Sequence, residues 1–157
     1  MYAKACRLRH PISEGWTNVA LKIKSSKKPL LTVVRSKHWT RKMVYVLLAN
    51  KAYKYKNGKS RIVYIGTTAK GAGRPAASAV DKASEAFANL HGVKTIEVHI
   101  VTCSRRRAIR SWEQLESALL HTFRNLYFEL PKYNKQKGAP SKLFKRTALE
   151  KSILQFT

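Results

Sequence analysis

Two apolar runs, Met43 to Asn50 and Arg61 to Thr68, flank a polar segment, Lys51 to Ser60, that contains the pair Asn57-Gly58. β-Branched and aromatic residues fill both runs. Asn-Gly is the dipeptide that supplies the positive φ angles of a tight turn. The stretch from Met43 to Gly66 is therefore predicted to be an antiparallel hairpin with Lys51 to Ser60 as its loop. Each strand carries one tyrosine, Tyr45 and Tyr64, and Gly66 closes the second strand. Whatever else the chain forms must pack on this pair of strands.

Downstream, Thr67 to Arg74 reads as a glycine-bearing loop, and Pro75 is suited to open a helix because its missing N–H is not needed there. The alanine-rich run Ala76 to Leu90 places Ala79, Ala83, Phe87 and Leu90 at helical spacing, and Gly92 is placed to end it. Lys94 to Cys103 alternates, with Ile96, Val98 and Ile100 on one face and Thr95, Glu97 and His99 on the other, which predicts a third strand. Ser111 is the expected N-cap of the next helix, with Gln114 three residues on. Trp112, Leu115, Leu119 and Phe123 form its core stripe, and the helix should stop before Pro131. A last amphipathic helix is expected over residues 141 to 156.

Upstream, residues 1 to 18 lack a period and read as an irregular arm. Residues 19 to 24 and 30 to 35 read as a basic hairpin, with Leu21 and Ile23 inward and Lys22 and Lys24 outward. Trp16 and Trp39 have two readings, bases to stack on or ordinary burial. The expectation is an α/β (α+β) chain of one domain over residues 1–157. A central three-stranded antiparallel sheet flanked by helices forms the core, 43–134. The basic N-terminal extension, 1–42, and the C-terminal helical extension, 135–157, are additions to it.

Charge narrows the function classes. The chain has 32 Lys+Arg against 8 Asp+Glu, a formal net charge of +24. Such an excess repels itself unless a polyanion neutralises it, and nucleic acid is the first candidate because each phosphate contact releases a counterion. Lys22, Lys24, Lys27, Lys28, Lys70, Arg105, Arg106, Arg107, Lys132 and Lys135 are the candidate phosphate contacts. A membrane partner is not expected, since no basic amphipathic helix is visible and no apolar run approaches the roughly 18 residues of a span. With no secretory signal either, the reading is cytoplasmic or nucleoid-associated. Cys6 and Cys103 are too few for a disulfide framework or a zinc site and read as small buried hydrophobes of a reducing compartment. The five histidines show no metal-ligand spacing, and no glycine-rich loop has the form that cradles nucleotide phosphates.

The paired signature resembles that of the GIY-YIG nuclease superfamily, with a degenerate first half, Met43-Val44-Tyr45, and an intact second half, Tyr64-Ile65-Gly66. The expected element order over residues 43 to 134 is also that of the family's small domain. The resemblance implies a metal-dependent endonuclease that hydrolyses phosphodiester bonds, with double-stranded DNA as substrate and Mg²⁺ (or Mn²⁺) as cofactor, one ion per site. Its arginine after the signature falls on Arg74, which Pro75 puts at the very start of the first helix. Ser78 stands where many members have a histidine or basic residue, and Lys70 is the candidate replacement cation. The metal-binding glutamate falls on Glu116, which Leu119 and Leu120 follow at +3 and +4, with Glu113 in reserve. The supporting asparagine falls on Asn134, in Pro131-Lys132-Tyr133-Asn134. Tyr45, Tyr64, Arg74, Glu116 and Asn134 are thus the catalytic set, and Gly66 is structural. Which tyrosine takes the proton from water is left open. So are RNA as the substrate, and a homodimer as the means of cutting both strands. The competing class is a basic nucleic-acid binder without catalysis.

Overall fold

The computed structural model describes residues 42–71, 73–102 and 110–157. The N-terminal arm and basic hairpin lie outside the described residues, with Lys22, Lys24, Lys27, Lys28, Trp16 and Trp39. So do Cys6, Cys103 and the cluster Arg105, Arg106 and Arg107. The elements run β1 (Met43–Lys54), β2 (Lys59–Thr68), α1 (Gly73–Asn89), β3 (Ile96–Val101), α2 (Ser111–Tyr127) and α3 (Arg146–Leu154). The sheet is antiparallel in the order β2-β1-β3. The order strand, strand, helix, strand, helix, helix is the one the sequence predicts.

β1 lies in the middle because Met43 to Ala49 is apolar on both of its faces, and all seven residues are buried. Val44, Val46 and Leu48 meet Leu115, Leu119 and Phe123 of α2 and Leu149 and Ile153 of α3. Tyr45, Leu47 and Ala49 face the other way, toward Ala86 of α1. Alternation along one strand thus builds two cores, one on each side of the sheet. The C-terminal helix is part of the first core rather than an appendage.

The hairpin is longer and its turn differs from the sequence expectation. Lys54 pairs with Lys59, so the loop is only Tyr55 to Gly58, and the pairing is irregular around Leu48 and Tyr53. Gly58 has φ +91°, but Asn57 is not in the left-handed region. Asn57 serves instead at the end of α2. Its backbone N–H donates to Tyr127 O (3.1 Å) and its side-chain amide donates to Leu126 O (2.7 Å). Those carbonyls have no partner within the helix, so the turn caps α2.

Three expected helix details change. α1 begins at Gly73, two residues before the expected Pro75, and Phe87 and Val80 are about half exposed, while Ser78 and Ala86 are buried. An alanine-rich helix has few large residues to fix its phase, and the small ones face the sheet because they allow close approach. Ser111 is the buried first residue of α2 and Arg110 precedes it as N-cap, without a side-chain cap bond. α3 is shorter than predicted, and Leu143 and Leu154 are exposed. In β3 the expected apolar face is not the covered one: Val98 and Ile100 are exposed, while His99, expected on the opposite face, packs on Phe156 at 5.2 Å. No described helix is long and apolar enough to cross a membrane.

Candidate functional site

β2 is at one edge of the described sheet, and a later piece of chain is stitched to its outer side. Tyr133 N–H donates to Val63 O at 3.0 Å. The Asn134 amide then grips Ile65 from both sides: Nδ2 donates to Ile65 O (2.7 Å) and Oδ1 accepts from Ile65 N–H (2.9 Å). A primary amide is the side chain that can match a backbone N–H and C=O at once. This clamp fixes β2 one residue before Gly66.

Gly66 sits directly across from Tyr45 in the ladder, and two tyrosine rings close over it. A Cβ there would lie 2.6 Å from a Tyr64 ring carbon and 2.8 Å from the Tyr45 ring and hydroxyl. Only glycine lets both rings lie against the strand. The rings are 6.0 Å apart by centroid. Tyr45 is 1% exposed, and its hydroxyl shares a 2.9 Å hydrogen bond with Ser78 Oγ of α1. Tyr64 is half-buried.

These groups line one cleft of about 550 Å³ together with Arg74, Asp81 and Lys82 of α1, Glu116 of α2, and Tyr133, Asn134 and Lys135 of the stitched segment. All five residues of the expected catalytic set therefore come to one place from separate elements. The earlier start of α1 puts Arg74 inside the first turn, so Arg74, Ser78 and Asp81 share the helix face turned to the cleft. Glu116 lines the cleft, whereas Glu113 is exposed and pairs with Arg110 at 3.5 Å. Lys70 is exposed on the loop after β2, outside the cleft lining. Lys132 is taken up elsewhere, 4.8 Å above the Tyr55 ring and 3.9 Å from Glu129. Asp81, Lys82 and Tyr133 were not expected in the site. Once Gly73 is taken as the helix start, the spacing from Arg74 to Ser78 and Asp81 is the signal that would have found the first of them.

Burial and then the charge of Glu113 push the Glu116 carboxyl up to about 7. Burial also raises the Tyr64 phenol to about 12, helped by Tyr45 and Glu116 and opposed by Arg74. At pH 7 the Tyr64 phenol therefore keeps its proton and the Glu116 carboxyl is about half ionised, and a nearby cation would lower both. Lys82 does not relieve Glu116, since it is bonded to Asp81 (3.1 Å) and Glu85 (3.4 Å). Among the described residues no three His, Cys, Asp or Glu side chains converge. The carboxylate the cleft offers without a cation partner among the described residues is Glu116; Asp81, also in the lining, is paired with Lys82. One such carboxylate fits a Mg²⁺-type ion, which binds through one or two carboxylates and keeps water and phosphate oxygens as its other ligands.

Comparison of the chain with models of protein families, with curated proteins and with solved structures gave no match.

Proposed function

We propose that the cleft is the active site of a metal-dependent endonuclease that hydrolyses phosphodiester bonds in DNA, of the GIY-YIG kind the sequence resembles. The observation that carries this reading is the convergence of Tyr45, Tyr64, Arg74, Glu116 and Asn134 on one cleft. A surface that only gripped phosphates would need cations there, not a desolvated carboxyl and two phenols.

In this reading Glu116 would hold a Mg²⁺ or Mn²⁺ ion, which when bound would supply Lewis-acid stabilisation of phosphoryl charge. Arg74 presents a fixed planar cation to the phosphoryl oxygens and shares the charge that develops there. Tyr64 is the more open of the two phenols and stands beside both Arg74 and Glu116; as a phenolate it takes the proton of the attacking water and becomes the phenol. Its raised pKa keeps it protonated at pH 7 on its own, so the phenolate needs cations in the site to lower that pKa, and Arg74 is the protein group that does so. Tyr45 is committed to Ser78 and positions Tyr64. Ser78 thus takes a neutral, orienting part where many family members carry a base. Asn134 and Gly66 hold the strand and the rings in place. The formal charge of +24 supplies the attraction for the polyanion.

The test is cleavage of supercoiled plasmid, single-stranded DNA and RNA, each with Mg²⁺ or EDTA, by the wild type and by Glu116→Ala. Metal-dependent nicking is expected, reduced about 10²-fold or more in the variant, with DNA binding retained. Plasmid also separates nicked from linear product, so it reports whether both strands are cut together. Tight binding without cutting of any substrate would replace the nuclease by a basic nucleic-acid binder. Selective cutting of RNA would change the substrate and keep the chemistry.

A further inference from the structure

The chain leaving the cleft is an extended basic strap. Between Glu129 and Glu150 there is no acid, while Lys132, Lys135, Lys137, Lys142, Lys145 and Arg146 fall within that interval. Lys132 and Arg146 are paired with the flanking glutamates. Lys135, Lys137, Lys142 and Lys145 are exposed and make no ion pair among the described residues.

The strap has no helix or strand of its own until α3, yet it is pinned at two points. One is the Asn134 clamp on Ile65. The other is Gly138, which lies so close to the backbone of α2 that a Cβ would stand 1.9 Å from Ser117 O and 2.6 Å from His121 N. Beside it, Ala139 N–H donates to Ser117 Oγ at 2.9 Å. Lys135 lines the catalytic cleft, and Lys142 lines a second, shallower one of about 370 Å³ where the strap meets α2. The lysines between and beyond the pins are thus presented from a fixed backbone that starts at the cleft and runs across α2.

We propose that this strap, Lys135 to Lys145, is the track on which DNA lies on one side of the phosphate held in the cleft, Lys137, Lys142 and Lys145 contacting successive phosphates of the flank. That this flank adjoins a phosphate about to be cut rests on the nuclease reading. The contact surface itself does not. A partner made of regularly spaced anions matches a row of unpaired lysines on a pinned chain. An acidic protein would need the row to be interleaved with apolar anchors, and the strap from Lys135 to Lys145 offers only Ala139, Pro140 and one exposed leucine, Leu143, since Phe144 packs on the core.

The experiment is the salt dependence of duplex-DNA binding, measured in EDTA so that nothing is cut. The wild type is compared with the triple variant Lys137→Gln, Lys142→Gln, Lys145→Gln. A control of equal charge change, Lys51→Gln, Lys54→Gln, Lys59→Gln, alters the hairpin tip, the far end of the β1–β2 ladder from Tyr45. Circular dichroism verifies that both fold. Each lost phosphate contact removes about 0.9 from the slope of log K against log salt. The strap variant is expected to lose about 2 to 3 units of slope, and the tip variant less than one. Equal losses would mean that the strap is only part of a diffuse positive field, and an unchanged slope would remove DNA from it; both overturn the proposal, as would tighter, strap-dependent binding of an RNA duplex. If the strap variant behaves as expected while the wild type cuts nothing in Mg²⁺, the nuclease reading fails and the track stands. If the wild type cuts and the strap slope is unchanged, the reverse holds.

Discussion

Glu116 is held protonated by two neighbours, the walls of the cleft and the Glu113 charge, and that has a measurable consequence. The folded chain keeps the Glu116 proton to about pH 7, whereas an unfolded carboxyl releases it near 4.5. Between those values the folded state binds more protons, so stability falls as pH rises through this window. The cleft is partly open to water, so the full shift is discounted to about 1–2 kcal/mol. In EDTA at pH 8, Glu116→Gln is expected to melt about 2–6 °C above the wild type, with the gap closing by about pH 4.5. A variant that melts below the wild type at pH 8 would mean that the carboxylate is not strained in the cleft. Asn134 offers a second test at this scale. Asn134→Asp keeps the acceptor for Ile65 N–H but sets a carboxylate against Ile65 O, at a cost of about 1–3 kcal/mol. A protonated carboxyl can donate to that carbonyl, so urea midpoints should show the Asp defect shrinking below about pH 4, while the Asn134→Ala defect stays level. A defect in Asp that ignores pH would refute the two-sided clamp. The five residues expected in the site were legible because each carries a chemistry tied to a short motif or spacing. Asp81, Lys82 and Tyr133 were not, because a charge on a helix or an aromatic after a proline has no such tie. Their place depends on the phase of α1 and on the strap reaching β2.

At the scale of elements, the clearest signals were the continuous β-branched and aromatic run of β1, which fixes its type, and the helical stripe of α2, which fixes both type and facing. α1 was legible only in part: Ala79 and Leu90 of the expected stripe pack on the second core, but Phe87 is on the open side and the buried face is made of Pro75, Ser78 and Ala86. The Asn57-Gly58 turn misled in a different way, since Asn57 is there for the carbonyls of a helix about 70 residues later. Least legible of all was the seat of the strap on α2, where backbone meets backbone and the only mark left in the sequence is one glycine. That seat predicts a large contrast between two Gly→Ala changes. At Gly73 a Cβ would meet nothing within 4 Å, and the residue opens a helix, so Gly73→Ala should be neutral or slightly stabilising. Gly138→Ala must push the strap off α2 and is expected to cost about 1–3 kcal/mol, or roughly 3–10 °C in midpoint. Equal midpoints for the two variants would show that the strap is not seated on the helix.

At the scale of the molecule, the formal charge of +24 acts on stability and on binding with opposite sign. At about 0.01 M salt the Debye length is ~30 Å, so cations repel one another over long distances. Folding gathers them into a smaller volume than the unfolded chain does, and the repulsion therefore falls mainly on the native state. The described ion pairs cannot cancel it, since only eight acids exist and the pairs already use six of them, Asp81, Glu85, Glu97, Glu113, Glu129 and Glu150. The melting midpoint of the free protein is thus expected to rise by several degrees between about 0.01 M and 0.2 M NaCl, where screening shortens to within ~10 Å. DNA affinity should fall over the same range, because counterion release weakens as bulk salt increases. DNA-bound protein should then show the reverse trend in midpoint, losing the ligand's contribution as salt is added. Differential scanning fluorimetry with and without a short duplex, across that series, measures both curves on one sample. A free-protein midpoint that falls with salt would mean that attractive pairs outweigh the excess charge in the native state. In that case, the charge would belong to the fold rather than to a polyanionic partner.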